Sequence, residues 1–149
     1  MKLSTKGLEL LKSLEGYSDT PYKDTGGKLT IGYGHLIPVG ALIPKFMPLW
    51  ECEALLKQDV VMFEQGIAQY VSVPVEQHQF DALVIFSFNV GTAHFRSSTL
   101  RRLLNKRLYL PAADEFDKWI YVNKVPSKGL IRRRKIEKKL FLTGEYHGL

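Results

Sequence analysis

The chain has 149 residues, a mass of 17.0 kDa, a hydrophobic share of 45% and a net charge of +6. These values suit one globular domain over residues 1–149 with a core of its own, and they exclude a disordered or collagen-like chain. A single cysteine, Cys52, excludes an internal disulfide, and no apolar run approaches the roughly eighteen residues of a membrane-spanning helix.

In chain order, Leu3, Gly7, Leu8, Leu10, Leu11 and Leu14 recur at threes and fours. The spacing predicts a helix with Ser4 or Thr5 as N-cap and Glu15 in its last turn. Lys6, Glu9 and Lys12 interrupt the leucines, so the segment lacks the unbroken apolar core of a signal peptide. A carboxylate at a helix C-terminus faces the negative end of the dipole, and Leu11 and Leu14 beside it add desolvation. Both effects favour the protonated form that a general acid needs.

Past Gly16, Pro21 and Gly26-Gly27 end helical structure, and the glycine pair signals a hairpin. Leu29, Ile31 and Tyr33 then alternate with Lys28, Thr30 and Gly32, as in a strand with two unlike faces. Thr30 lies on the face left bare by Gly32 and Gly34, where a ligand can approach the backbone. Asp24, just before the turn, faces the same space. An acid, a second carboxylate and a hydroxyl on one bare strip form an arrangement suited to glycoside hydrolysis.

Pro38, Gly40, Pro44 and Pro48 make Ile37–Leu49 an irregular connector. Leu56, Val60, Phe63, Ile67 and Tyr70 predict a long helix from about Trp50 to Val71, stopped by Pro74. Glu76 to Val90 is apolar nearly all round and predicts the buried centre of a helical lobe, with Gly91 as C-cap. Shorter helices are expected at Ser98–Asn105 and Pro111–Ile120, and a last one from about Leu130 to Thr143, closed by Gly144. The fold class is α+β and mostly helical: a small hairpin lobe over about 15–49, a linking helix over about 50–71, and a helical lobe over about 74–149 joined by the N-terminal helix.

Glu15, Asp24 and Thr30, separated by eight and five residues and followed by Ile31-Gly32-Tyr33-Gly34-His35, resemble the pattern of the phage-type lysozymes (endolysins) of glycoside hydrolase family 24. SFNVGTAHFRSSTL (87–100) and GLIRRRKIEKKLFLTG (129–144) resemble the same family in the same order, so the likeness spans nearly the whole chain. It implies a lysozyme-like fold with an active-site cleft between the lobes. It also implies hydrolysis of the β-1,4 bond between N-acetylmuramic acid and N-acetylglucosamine in peptidoglycan. Glu15 would protonate the leaving oxygen. Asp24 would stabilise the developing oxocarbenium charge and hold the attacking water with Thr30, which predicts inversion. Phe88 and Asn89 would touch substrate, and Arg133 would match the family arginine that reaches the acid corresponding to Glu15. Gly32, His35, Leu36 and Ser98 complete the expected substrate-binding set. Unlike relatives with an apolar N-terminal export anchor, this chain would stay in the host cytoplasm until released to the wall, as a monomer without a cofactor.

Each residue also has a plainer reading. Glu15 can be a solvated helix end, Asp24 a turn former whose side chain caps the local backbone, and Thr30 an ordinary strand residue. His35 reads better as a histidine tied to a carbonyl or carboxylate than as a proton carrier. His78, His94 and His147 lack metal-ligand spacing. Cys52 between Glu51 and Glu53 is a poor nucleophile, because acidic neighbours oppose a thiolate. Arg132, Arg133, Arg134, Lys135, Lys138 and Lys139 can form a solvated helix face or attract an anionic cell-envelope surface; no nucleic-acid motif accompanies them. Ala93-His94 and the glycine-poor Asn123–Lys128 depart from the family pattern. A lytic transglycosylase, a chitinase or chitosanase, and a non-catalytic cationic wall-disrupting protein are the rival functions.

Overall fold

A computed structural model describes residues 1–147 and divides the chain into two compact units, Leu11–Met62 and Met1–Leu10 with Phe63 onward. No described helix is long and apolar enough to cross a membrane. The mostly helical α+β class expected from the sequence is the one found.

The first helix, α1, runs Thr5–Glu15. Ser4 is its cap: the Gly7 N–H donates to Ser4 Oγ at 3.0 Å. The unit Leu11–Met62 then holds a three-stranded antiparallel sheet of β1 (Ser18–Lys23), β2 (Leu29–Gly32) and β3 (His35–Leu36), in that order. Pro21 is tolerated within β1 because β1 is an edge strand whose register with β2 breaks between Ser18 and Tyr22. The hairpin closes through Asp24 N–H to the Lys28 carbonyl and Gly27 N–H to the Asp24 carbonyl, each 2.9 Å. The third strand was not foreseen. It exists because Gly34, at φ +75°, turns the chain back after Tyr33 and lets His35 pair with Ile31. The connector that follows is irregular, as expected, and leads into α2, Leu49–Tyr70.

In the other unit, α3 (Gln77–Val90) opens with a reciprocal Glu76/Gln79 capping box, and Phe80–Ser87 are all buried. Phe86 packs edge-on against Phe116 and Trp119, at 5.1 and 5.6 Å between ring centres. Asp81 is fully buried beside α1 and gathers the Ser4 hydroxyl, the Ser4 N–H at 3.1 Å, Gln77 Nε2 at 2.8 Å and the Tyr146 hydroxyl at 2.7 Å. A Cβ on Gly7 would stand 2.8 Å from the Asp81 carboxylate, so this helical glycine is required by close approach.

The second half of this unit departs in detail from the sequence reading. An extra helix, α4 (Thr92–Ser97), precedes α5 (Thr99–Asn105). In place of one helix over Pro111–Ile120, α6 covers Tyr109–Asp114 and tightens into a 3₁₀ turn, Glu115–Lys118. A second hairpin, β4 (Tyr121–Val122) with β5 (Val125–Pro126), occupies the glycine-poor stretch. Asn123 and Lys124 both take positive φ there, 49° and 67°, so the tight turn forms without its usual glycine. The last helix, α7, runs Lys128–Thr143 and stops at Gly144 in the left-handed conformation, as expected.

The basic run on α7 needs correction as a solvated face. Arg133 and Arg134 are buried and share the fully buried Glu137, at 3.1 and 2.9 Å. Lys138 bridges Asp114 and Asp117, and Lys139 meets Glu145. Helical spacing placed a carboxylate one turn from two arginines, and burial made the three a unit rather than a cationic surface.

Candidate active site

Glu15 is the last residue of α1 and is half-buried. Its Oε1 lies 3.1 Å from where a Cβ on Gly34 would stand. A side chain there would press on the carboxylate, and the backbone conformation at Gly34 already favours glycine. The glycine after Tyr33 therefore gives the carboxyl group its place against the sheet.

Residues directly opposed in an antiparallel pair project from the same face. Tyr22 opposes Thr30, and Thr30 opposes Leu36, so these three cross the sheet in one row. Asp24, two residues beyond Tyr22, continues the same face into the turn. Its Oδ1 accepts from the Gly26 N–H at 2.9 Å and the Lys28 N–H at 2.8 Å, while Oδ2 accepts from no described protein group. The turn-capping role thus uses one oxygen and leaves the other without a described protein partner. Thr30 is buried and donates its hydroxyl proton to the Lys28 carbonyl at 2.9 Å. Lys28 therefore fixes both groups, through its N–H for Asp24 and its carbonyl for Thr30.

His35 lies across from Ile31, on the face opposite Thr30, and its Nδ1 pairs with Asp59 of α2 at 2.7 Å. This fits the reading of a histidine tied to a carboxylate. A Cβ on Gly32 would meet Cys52 Sγ of α2 at 3.4 Å, an ordinary contact, so the φ of +67° rather than close approach favours glycine there. Cys52 itself is buried, and burial followed by the charges of Glu51 and Asp19 pushes its thiol above the ordinary range. That removes it as a thiolate nucleophile at neutral pH. Leu36 is exposed.

Of the residues expected to bind substrate in the other unit, Phe88 packs on Phe63 with ring centres 5.1 Å apart, and exposed Asn89 accepts from Arg134. Arg133 donates to the Ile85 carbonyl at 3.1 Å as well as to Glu137. Ser98 is buried as the N-cap of α5: it accepts from the Arg101 N–H and donates to the Phe95 carbonyl, so its hydroxyl has a structural role. Among the described residues, no three His, Cys, Asp or Glu side chains gather as a metal site requires.

The Phage lysozyme family model matches residues 12–137, from the last turn of α1 to α7. The chain belongs to the phage lysozyme family. It is 42% identical to the endolysin of Bacillus phage B103 over 97% of its own length, but spans only 56% of that protein. The endolysin of Salmonella phage P22 is 39% identical, with 96% of this chain and 99% of that one covered. Among solved structures, the muramidase domain of SpmX from Asticaccaulis excentricus superposes with a TM-score of 0.87 at 36% identity, over 95% of this chain and 98% of that one.

Within this phage lysozyme frame, sequence reasoning missed Tyr22. Burial first, and then the charges of Glu15 and Asp24, hold its hydroxyl above the ordinary tyrosine range. The signal was available only through register: Tyr22 is two residues from Asp24 and opposite Thr30.

Proposed function

We propose that the chain is a muramidase, a glycoside hydrolase that cleaves the β-1,4 bond between N-acetylmuramic acid and N-acetylglucosamine in peptidoglycan by inversion. The observation that carries this reading is the arrangement around Lys28, with an unbonded Asp24 Oδ2 and a Thr30 hydroxyl whose proton is already committed. Such a hydroxyl can only accept. A water beside the pair points one O–H at Asp24 Oδ2 and the other at Thr30 Oγ1, which aims its lone pair outward at an anomeric carbon. As the bond breaks, Glu15 gives its proton to the departing glycosidic oxygen. Asp24 stabilises the positive charge developing on the ring and takes the proton that the water releases. Attack comes from the side opposite Glu15, so the configuration inverts.

A lytic transglycosylase would break the same bond without water. Digestion of purified peptidoglycan followed by mass spectrometry separates the two. Hydrolysis predicts fragments ending in reducing N-acetylmuramic acid, whereas fragments lighter by one water, ending in the anhydro sugar, would overturn the proposal.

A further inference from the structure

The connector after β3 contains more apolar surface than the fold uses. Val39, Leu42, Ile43, Phe46 and Trp50 are exposed, with Val39 and Leu42 almost wholly in solvent. These five large exposed apolar side chains within residues 39–50 are more than scattered single ones, and such clustering marks an interaction site. The segment is nevertheless held in place. Its start is fixed by the Ile37 N–H to the Leu29 carbonyl at 2.9 Å, its end by the Met47 N–H to the Asp19 carbonyl at 2.7 Å, and its tip by a turn from Ala41 N–H to the Pro38 carbonyl. Beneath the tip opens a largely apolar concavity of about 530 Å³, bordered by Lys28, Leu36, Val39, Ala41 and Ile43. From Thr25 to Trp50 there is no Asp or Glu, while Lys28 and Lys45 are present, in a chain of net charge +6.

From the apolar prongs, the concavity and the flanking lysines we infer that the Leu36–Trp50 connector is a docking site for an anionic lipid surface. Leu42, Ile43 and Phe46 enter the acyl boundary, an acyl chain or its end fills the concavity, and Lys28 and Lys45 meet the phosphates. Trp50 stands where indole rings settle, between headgroup and chain. Apolar side chains clustered along a pinned loop with flanking lysines suit a fluid anionic interface, and the segment offers neither the helix groove nor the long strand edge that common peptide-recognition modes use. The docking does not draw on the basic residues of α7, most of which are buried or paired.

The test is flotation of the full chain with vesicles of equimolar phosphatidylglycerol and phosphatidylcholine, beside vesicles of phosphatidylcholine alone. Trp50 emission is followed in a Trp119→Phe background, where it is the only tryptophan. The inference predicts association with the anionic vesicles, weaker association with neutral ones, and a blue shift of Trp50. The double variant Leu42→Ser with Ile43→Ser should weaken binding by about tenfold or more and abolish the shift. Arg132→Ser with Lys135→Ser should retain both. Four results would overturn the inference: no binding to either vesicle, equal binding to both, binding unaffected by the Leu42 and Ile43 changes, or a blue shift that follows protein concentration without lipid. The last would mean that a second copy covers the patch.

Discussion

In the unit Leu11–Met62, the side chains of Asp24 and Thr30 are fixed by backbone; in the helical unit, the buried carboxylates Asp81 and Glu137 are fixed mainly by other side chains. Asp24 takes its position from the Gly26 and Lys28 N–H groups and Thr30 from the Lys28 carbonyl, while Glu15 stands where a side chain on Gly34 would press on it. In the helical unit, Asp81 draws together α1, α3 and the C-terminal segment, and Glu137 neutralises two buried arginines. The first design leaves a carboxylate oxygen open to a ligand. The second closes its carboxylates completely, so they hold the fold and have no reach to substrate. Asp81 and Glu137 are buried with both oxygens bonded, whereas Asp24 keeps one oxygen that no described residue bonds.

The sharpest way to break that contrast is to change one carboxylate of each kind. Glu15→Gln should lower wall hydrolysis by about a thousandfold, in the range of a lost general acid, with a melting temperature close to wild type. Turbidity of purified peptidoglycan and a thermal melt read the two quantities. Appreciable turnover in the folded variant would remove Glu15 from the mechanism. Glu137→Ala should do the reverse. It takes the shared carboxylate away from two buried guanidiniums and should lower stability by about 3–5 kcal/mol, with a far smaller loss of turnover per folded molecule than Glu15→Gln. Urea unfolding with activity normalised to folded protein checks this.

Thr30→Val sharpens the comparison within the hairpin unit. It keeps side-chain volume but deletes the acceptor for the proposed water, and should cut kcat by about a hundredfold with little change in KM. Tyr22→Phe should have the smallest effect. Loss of a partly exposed hydroxyl near two carboxylates should reduce kcat by about fivefold, equivalent to ~1 kcal/mol. It also has a pH signature. Because the folded state raises the Tyr22 pKa, the stability it adds is complete below about pH 10 and is lost as pH rises through the folded value. Tyr22→Phe should therefore soften alkaline unfolding, and an unchanged alkaline limb would show that Tyr22 does not sense the carboxylates.

Much of this was legible in the sequence because its signals are local. Leucine spacing and Ser4 framed α1, Gly26-Gly27 gave the hairpin, and alternation put Thr30 and Asp24 on one face. Gly144 marked the end of α7. What escaped depended on partners distant in sequence. Tyr22 became visible only with strand register, and the reason for Gly32 only with its backbone conformation, φ +67°. The arginine run looked solvated because nothing in its composition says that Glu137 is buried between two of its members. The β4–β5 turn was hidden because Asn123 and Lys124 adopt a conformation usually left to glycine.

The proposed water between Asp24 and Thr30 is tested most directly by the configuration of the first product. Proton NMR of the newly formed reducing end, recorded before mutarotation, should show the α-anomer. An initial β-anomer, or a glycosyl ester trapped on Asp24, would contradict the account.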